Sequence, residues 1–381
     1  MVSILLCCKY TTYVKNIDVS TLFECFLNFH SVILAPIHMN IITKELTMNN
    51  LRKIGVSALC GSLAAISAAN AGDLTVTGGA DMTWISLSDQ VTGNPIGIGS
   101  NFGLSGSGEL ENGWTVDLSI AMTNANVYSN SSVTITVPGV GAILVNQGGS
   151  GTGIDRMDDM TPSVWEEADG AGLSAGITNV QGTSGGATIE LKPEGTPDGL
   201  TARFAYSPNA DDEPASDKAG GGDSGTLASG WDITLEATSD LHGVDGLTLY
   251  GGISEVDQYQ NATTIGGDAS ERVVGIKYAA GGFTVGYQQS NDDTGLVDNG
   301  EYDNTAYSIT FNVNDDLSIG YGHVESKKES SNTAEADSIQ AAYTMGGATI
   351  RIAEIDVSNQ SYATAATSQL DATVISLGLA F

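Results

Sequence analysis

Asp371-Ala-Thr-Val-Ile-Ser-Leu-Gly-Leu-Ala-Phe381 is the stretch on which the fold turns. Ile375, Leu377, Leu379 and Phe381 fall on one face of a period-two pattern. Ala372, Val374, Ser376, Gly378 and Ala380, mostly small, fall on the other. A strand of a soluble protein at this position needs no such ending, because it can fray into water. A large-apolar outer face backed by a small inner one suits a barrel closed in lipid, and Phe381 then reads as an assembly signal.

Working back along the chain, short alternating runs recur, joined in turn by tight and by long connections. Tight turns stand at Glu111-Asn112-Gly113, Pro138 to Gly141, Pro193 to Gly199, around His242-Gly243, at Ala279 to Gly282, at Val313 to Asp316 and at Met345-Gly346-Gly347. Each is flanked by runs of alternating polarity, which is the signature of a hairpin. Seven hairpins, an opening strand over Leu74 to Leu87 and the closing strand over Ala372 to Phe381 make sixteen strands. An even count puts both ends of the barrel segment and all short turns on one side, with the long loops opposite. Pairing Gly172 to Thr178 with Ser163 to Glu167 would make eighteen instead. The sixteen-strand reading assigns both segments to one long third loop, about Gln147 to Gly186.

Composition agrees with an all-β, transmembrane, antiparallel barrel. A β-sandwich would need bulky residues on its inner faces, but the second faces here carry Ser, Thr, Gly, Gln and charges. A sheet in lipid must close to satisfy its backbone, and sixteen strands leave an aqueous channel too wide for side chains to fill. Fourteen basic against forty-five acidic residues give a net charge of −31, which excludes nucleic acid as a partner on electrostatic grounds. The cysteines are Cys7, Cys8, Cys25 and Cys60, so no disulfide framework, zinc site or thiol nucleophile is available further on. Met48-Asn-Asn-Leu-Arg52-Lys53, the apolar run Ile54 to Ala68 and Ala69-Asn70-Ala71 read as a signal peptide over 48–71. Residues 1–47 then read as an upstream extension from a start assigned too early, and 72–381 as the barrel.

No catalytic constellation stands out. His242 and His323 lie in different hairpins, and no glycine-rich phosphate loop follows a parallel strand. The candidate site is the third loop, because connections of this length are usually functional or disordered. It carries Asp155, Asp158, Asp159, Glu166, Glu167 and Asp169, with Arg156 as its base. Folded into the lumen it would form a constriction lined by carboxylates, which favour cations. On the outer surface it would be a solvated acidic loop. Asp155, Asp158 and Asp159 also offer oxygens for Ca²⁺, although their spacing matches no EF-hand, and no other cofactor is expected. Lys192, Arg203, Lys277 and Arg351 fall on polar strand faces by parity. They either oppose the loop carboxylates as lumen-wall bases or pair with nearby acids such as Glu190 or Glu354. The first five strands carry no Lys or Arg.

The signal segment, sixteen alternating strands, long third loop and terminal Phe381, together with Phe102-Gly-Leu-Ser-Gly-Ser-Gly-Glu-Leu-Glu-Asn-Gly-Trp114, resemble the general diffusion porins of Gram-negative bacteria, the alphaproteobacterial branch in particular. That resemblance implies an outer-membrane homotrimer surrounded by lipid and lipopolysaccharide. It implies passive diffusion of ions and small hydrophilic solutes, with no enzymatic step, and a closing strand read by the outer-membrane assembly machinery. The chain departs from the family in lacking an arginine cluster on its first strands, which points to cation preference. A solute-specific channel using Trp165, a non-channel surface barrel or adhesin, and a secreted β-sandwich enzyme are the alternatives.

Overall fold

The computed structural model describes residues 74–88, 92–123, 127–147, 151–210, 225–259 and 263–380. Residues 1–47, the signal segment 48–71, Lys218 and Phe381 lie outside these described residues. The strands are β1 (Thr75–Leu87), β2 (Ile96–Glu109), β3 (Thr115–Thr123), β4 (Val127–Val137), β5 (Gly141–Gln147), β6 (Thr188–Pro193), β7 (Leu200–Ser207) and β8 (Leu227–Ala237). They continue as β9 (Leu247–Gln258), β10 (Ala269–Ala280), β11 (Phe283–Asp293), β12 (Glu301–Asn312), β13 (Leu317–Lys328), β14 (Thr333–Met345), β15 (Ala348–Ser358) and β16 (Leu370–Ala380). Each pairs antiparallel with its neighbours in sequence, and β16 returns to β1, from Gly79 opposite Ala380 to Leu87 opposite Ala372. The sheet is therefore a closed sixteen-strand barrel. Neither Ser163 to Glu167 nor Gly172 to Thr178 forms a strand, so the eighteen-strand arrangement is not adopted.

One face of this wall is apolar and uncovered in the single chain. Ile98, Val274 and Ile339 are 72%, 62% and 64% exposed, and Tyr287, Ile309, Ile352 and Ile375 continue the band. So much exposed apolar surface would aggregate in water, whereas lipid matches it. The other face alternates with it, as Ser338 and Gln340 flank Ile339 and Ser376 follows Ile375.

The strands run further toward the long loops than alternation alone indicates. β8 starts at Leu227, β12 at Glu301 and β14 at Thr333, before the regular alternation of large apolar residues begins. There both faces turn polar, as in Glu301-Tyr302-Asp303-Asn304, so the period fades while the ladder continues. A register shift between Leu227 and Gly230 marks a bulge in β8.

A second difference concerns the polar face. Over β12 to β16 it carries Ala306, Val324, Ala336, Ala353, Ile355, Val357, Ala372 and Val374, buried in one cluster with Ala168, Ala171 and Ala175 of the third loop. Small apolar residues there give the loop backbone a close seat, which a uniformly polar face would not.

Candidate functional site

The connection from β5 to β6 opens with a 3-10 turn at Gly153–Met157 and closes with another at Gly182–Gly185. Between them the backbone is irregular, so its polar groups must find partners outside the loop. They find them on strands far away in sequence. Gln288 of β11 accepts from Met160 N at 3.1 Å through Oε1 and donates through Nε2 to Met157 O at 3.0 Å and Asp158 O at 2.6 Å. Gln340 of β14 accepts from Trp165 N at 3.0 Å and Glu166 N at 3.2 Å, and donates to Glu166 O at 2.8 Å and Glu167 O at 3.3 Å. An amide side chain, both donor and acceptor, is suited to clamp a bare backbone. Ser308 and Asn304 of β12 add bonds to Pro162 O at 2.6 Å and Thr178 O at 2.8 Å.

The two ends of the loop are held by carboxylates. Glu190 of β6 accepts from Gly153 N at 2.9 Å, and Glu271 of β10 accepts from Gln181 N at 2.9 Å and Gly182 N at 2.7 Å. Asp232 of β8 accepts from Ile154 N at 3.1 Å and from the Thr183 hydroxyl at 2.8 Å. None of these three anchors, nor Gln288 or Gln340, was among the expected site residues. The signal available was a polar residue at mid-strand on the less apolar face.

The expected residues do not gather in one place. Asp158, Asp159, Glu167 and Asp169 line one small pocket with Asn179, Gln288, Ser290 and Asn304. Arg156 and Arg203 converge on Glu190, at 2.7 and 3.6 Å. Arg351 meets Asp81 of β1 at 2.8 Å and lies over the Trp165 ring at 5.8 Å from its centroid. Its partner is thus not Glu354, which points to the apolar face and accepts from the Thr373 hydroxyl. Lys277 lies 5.7 Å from the centroid of the Tyr250 ring, and Lys192 is exposed near the short-turn end of β6. Asp155 stands apart and accepts from Gly151 N.

Burial, with crowding among some of them, raises the proton affinity of the loop carboxylates. Burial, then repulsion from Asp158, Asp159, Asp169 and Glu166, pushes Glu167 up to about 8. Burial, with Asp155 and Asp159 adding to it, raises Asp158 to about 6 against the pull of the Asp159 N–H. Burial also raises Asp155, Asp159 and Asp169. Burial also raises Glu166, against the pull of Arg351. Asp158 and Asp159 turn an oxygen to the N–H of Asp159 and Thr161. Among the described residues no three acids, histidines or cysteines are arranged to hold a metal ion.

The remaining wall is different in character. β1 to β5 have no Lys or Arg. A shallow hollow on β1 to β4 is lined by Asp117 with Thr75, Ser105, Ser107, Ser119, Ser132 and Thr134. The loop anchors named above come instead from β6, β8, β10, β11, β12 and β14. His242 accepts from Val244 N in its turn, and His323 contacts Asp337 at 3.0 Å beside Tyr321.

Comparison with known proteins follows from this geometry. A family model described as Gram-negative porin matches residues 55–362. Among solved structures, Salmonella typhi OmpF in complex with daunomycin is similar with a TM-score of 0.61 and 14% identity, over 81% of this chain and 98% of that one. OmpT of Vibrio cholerae in its trimer form gives 0.56 and 14%, over 81% and 99%. A mutant of Rh. blastica porin gives 0.52 and 14%, over 81% and 100%. Comparison with curated proteins finds no match.

Proposed function

The chain belongs to the Gram-negative porin family, whose barrels lie in the outer membrane, and from that premise we propose a water-filled channel in which the third loop lies in the lumen as a cation-preferring constriction. The carrying observation is the way the loop is tied: its hydrogen-bonding anchors come from β6 to β14, its apolar cluster extends to β16 and to Ile85 and Leu87 of β1, and its acids gather as Asp158, Asp159, Glu167 and Asp169. On this reading the open passage runs between the loop and the base-free wall of β2 to β5. Ions then pass a carboxylate-rich edge opposite Ser, Thr and Asp117, and cations gain where anions lose.

Passage is passive, with no chemical step. Trp165, the aromatic that a solute-specific channel would use for stacking, is engaged with Arg351 and the loop cluster. A homotrimer is part of the proposal, supported by the trimer form of the similar OmpT, with lipid and lipopolysaccharide as the surrounding partners. Planar bilayer recording tests the whole. The expected result is stepwise conductance closing in three equal levels, with a reversal potential in a salt gradient that favours cations. Insertion without conductance would reject the channel, and anion preference would reject the acidic constriction alone.

A further inference from the structure

We propose that Asp232 is a positioning residue that knots the two ends of the third loop together and thereby keeps the constriction narrow, an inference that rests on the loop lying in the lumen. Asp232 is 1% exposed on β8, so passing ions do not touch it. Its Oδ2 accepts from Ile154 N of the first 3-10 turn at 3.1 Å. The same oxygen accepts from Thr183 N at 3.3 Å and the Thr183 hydroxyl at 2.8 Å in the last turn. One oxygen is therefore shared by segments 29 residues apart, the separation of Ile154 and Thr183.

The backbone is built around that oxygen. Gly153 and Gly182, each just before the residue whose N–H is donated, both have φ of +56°. A Cβ at Gly182 would lie 2.6 Å from Asp232 Oδ1, and one at Gly153 would collide with Oδ2. Only glycine tolerates both the left-handed backbone and the close approach. Glu190 and Glu271 hold one end each, through Gly153 and through Gln181 and Gly182. Asp232 alone among these three is bonded to both turns. Ile154 and Met157, fully buried beside it, seal the knot from water. Charge-assisted bonds in a dry site are the strong kind, and tying the neck shortens the free segment that can fluctuate.

The second oxygen separates a hydrogen-bonding role from a charge role. Asp232 Oδ1 makes no hydrogen bond of full geometry, nor does Thr234 Oγ1, while the Ser254 hydroxyl, directly across the ladder, faces the carboxylate. In Asp232→Asn the remaining oxygen can serve the loop while the amide faces those hydroxyls, so the knot survives without the charge. Asp232→Ala removes it.

The test compares wild type, Asp232→Asn and Asp232→Ala as full-length barrels, by hydrogen exchange in detergent and by single-channel recording. Asp232→Ala should lower the protection of the Ile154 and Thr183 amides by about tenfold or more, the loss expected for buried bonds to a charged group. Its open-channel noise and mean conductance should rise. Asp232→Asn, which keeps the three bonds but loses their charge assistance, should lose clearly less protection than Asp232→Ala and keep conductance within about twofold of wild type. If Asp232→Ala fails to fold, Thr183→Ala, which removes one of the three bonds, should give an intermediate loss. Unchanged protection and noise in Asp232→Ala overturns the proposal, as does an equal defect in Asp232→Asn. A wild type that does not conduct rejects the channel reading, while exchange still decides the knot.

Discussion

Raising the pH from 5 to 9 should increase cation selectivity in two steps, because the loop gains charge in that window. Asp158, at about 6, and Glu167, at about 8, are neutral below their midpoints and anionic above them. An ion passing about 8 Å from one such carboxylate in a water-like dielectric feels about 0.5 kcal/mol, cut to about 0.2 kcal/mol by physiological salt. The effect has opposite sign for anions, so each charge changes the cation-to-anion ratio about twofold and the pair about fourfold. The other raised acids of the loop can only add in the same sense. Reversal potentials in a fixed salt gradient, taken every half unit of pH, report the ratio directly. Glu167→Gln should remove the upper step and leave the lower one. A flat profile, or an upper step that survives in Glu167→Gln, refutes the assignment.

The same perturbation carries a stability sign. Glu167 has its folded value raised above the ordinary 4.5, so the folded loop holds the proton more tightly than the unfolded chain does. Its contribution is most favourable below about 4.5, declines as pH rises toward 8 and is constant above that. Glu167→Gln should therefore be the more stable form at pH 9, with a difference that vanishes at pH 4.

Two further substitutions address the wall and the seat of the loop. Arg351→Gln releases Asp81 and removes a cation beside the passage, so the cation-to-anion ratio should rise about twofold in the same recording; an unchanged ratio would place Arg351 outside the ion path. Gln340→Ala strips the clamp from Trp165, Glu166 and Glu167, and should cost about 1–3 kcal/mol of local stability, read as faster exchange of the Trp165 and Glu166 amides.

The barrel was legible because lipid imposes one rule on every strand. Tyr287, Ile309, Ile339, Ile352 and Ile375 must be apolar whatever their neighbours do, and the turns between them need Gly, Asn or Asp. Where the strands rise past that band the rule lapses, so alternation does not mark where β12 and β14 begin. The platform under the loop was hidden for a different reason. Ala336 and Ala353 suit an open lumen as well as a close-packed backbone, and only the partner distinguishes the two. That partner, around Ala168 to Ala175, is more than 160 residues earlier in the chain.

The expected opposition of bases and acids meets a constraint that parity cannot express. A transverse field needs cations that face the carboxylates across open water. Arg203 instead shares Glu190 with Arg156, from the loop itself, and Arg351 reaches over β16 to Asp81. With nine basic residues against forty-two acidic ones in 72–381, bases are too few to serve both as structural partners and as a pore lining. The structural use takes precedence here, since an acid such as Glu190, 4% exposed, is costly to bury without its cation. On the proposed reading, what remains for the passage is a field in which the loop carboxylates outnumber the bases that face them, Arg351 and Lys277. Its strength is then set by how many loop carboxylates keep their protons, and so by pH.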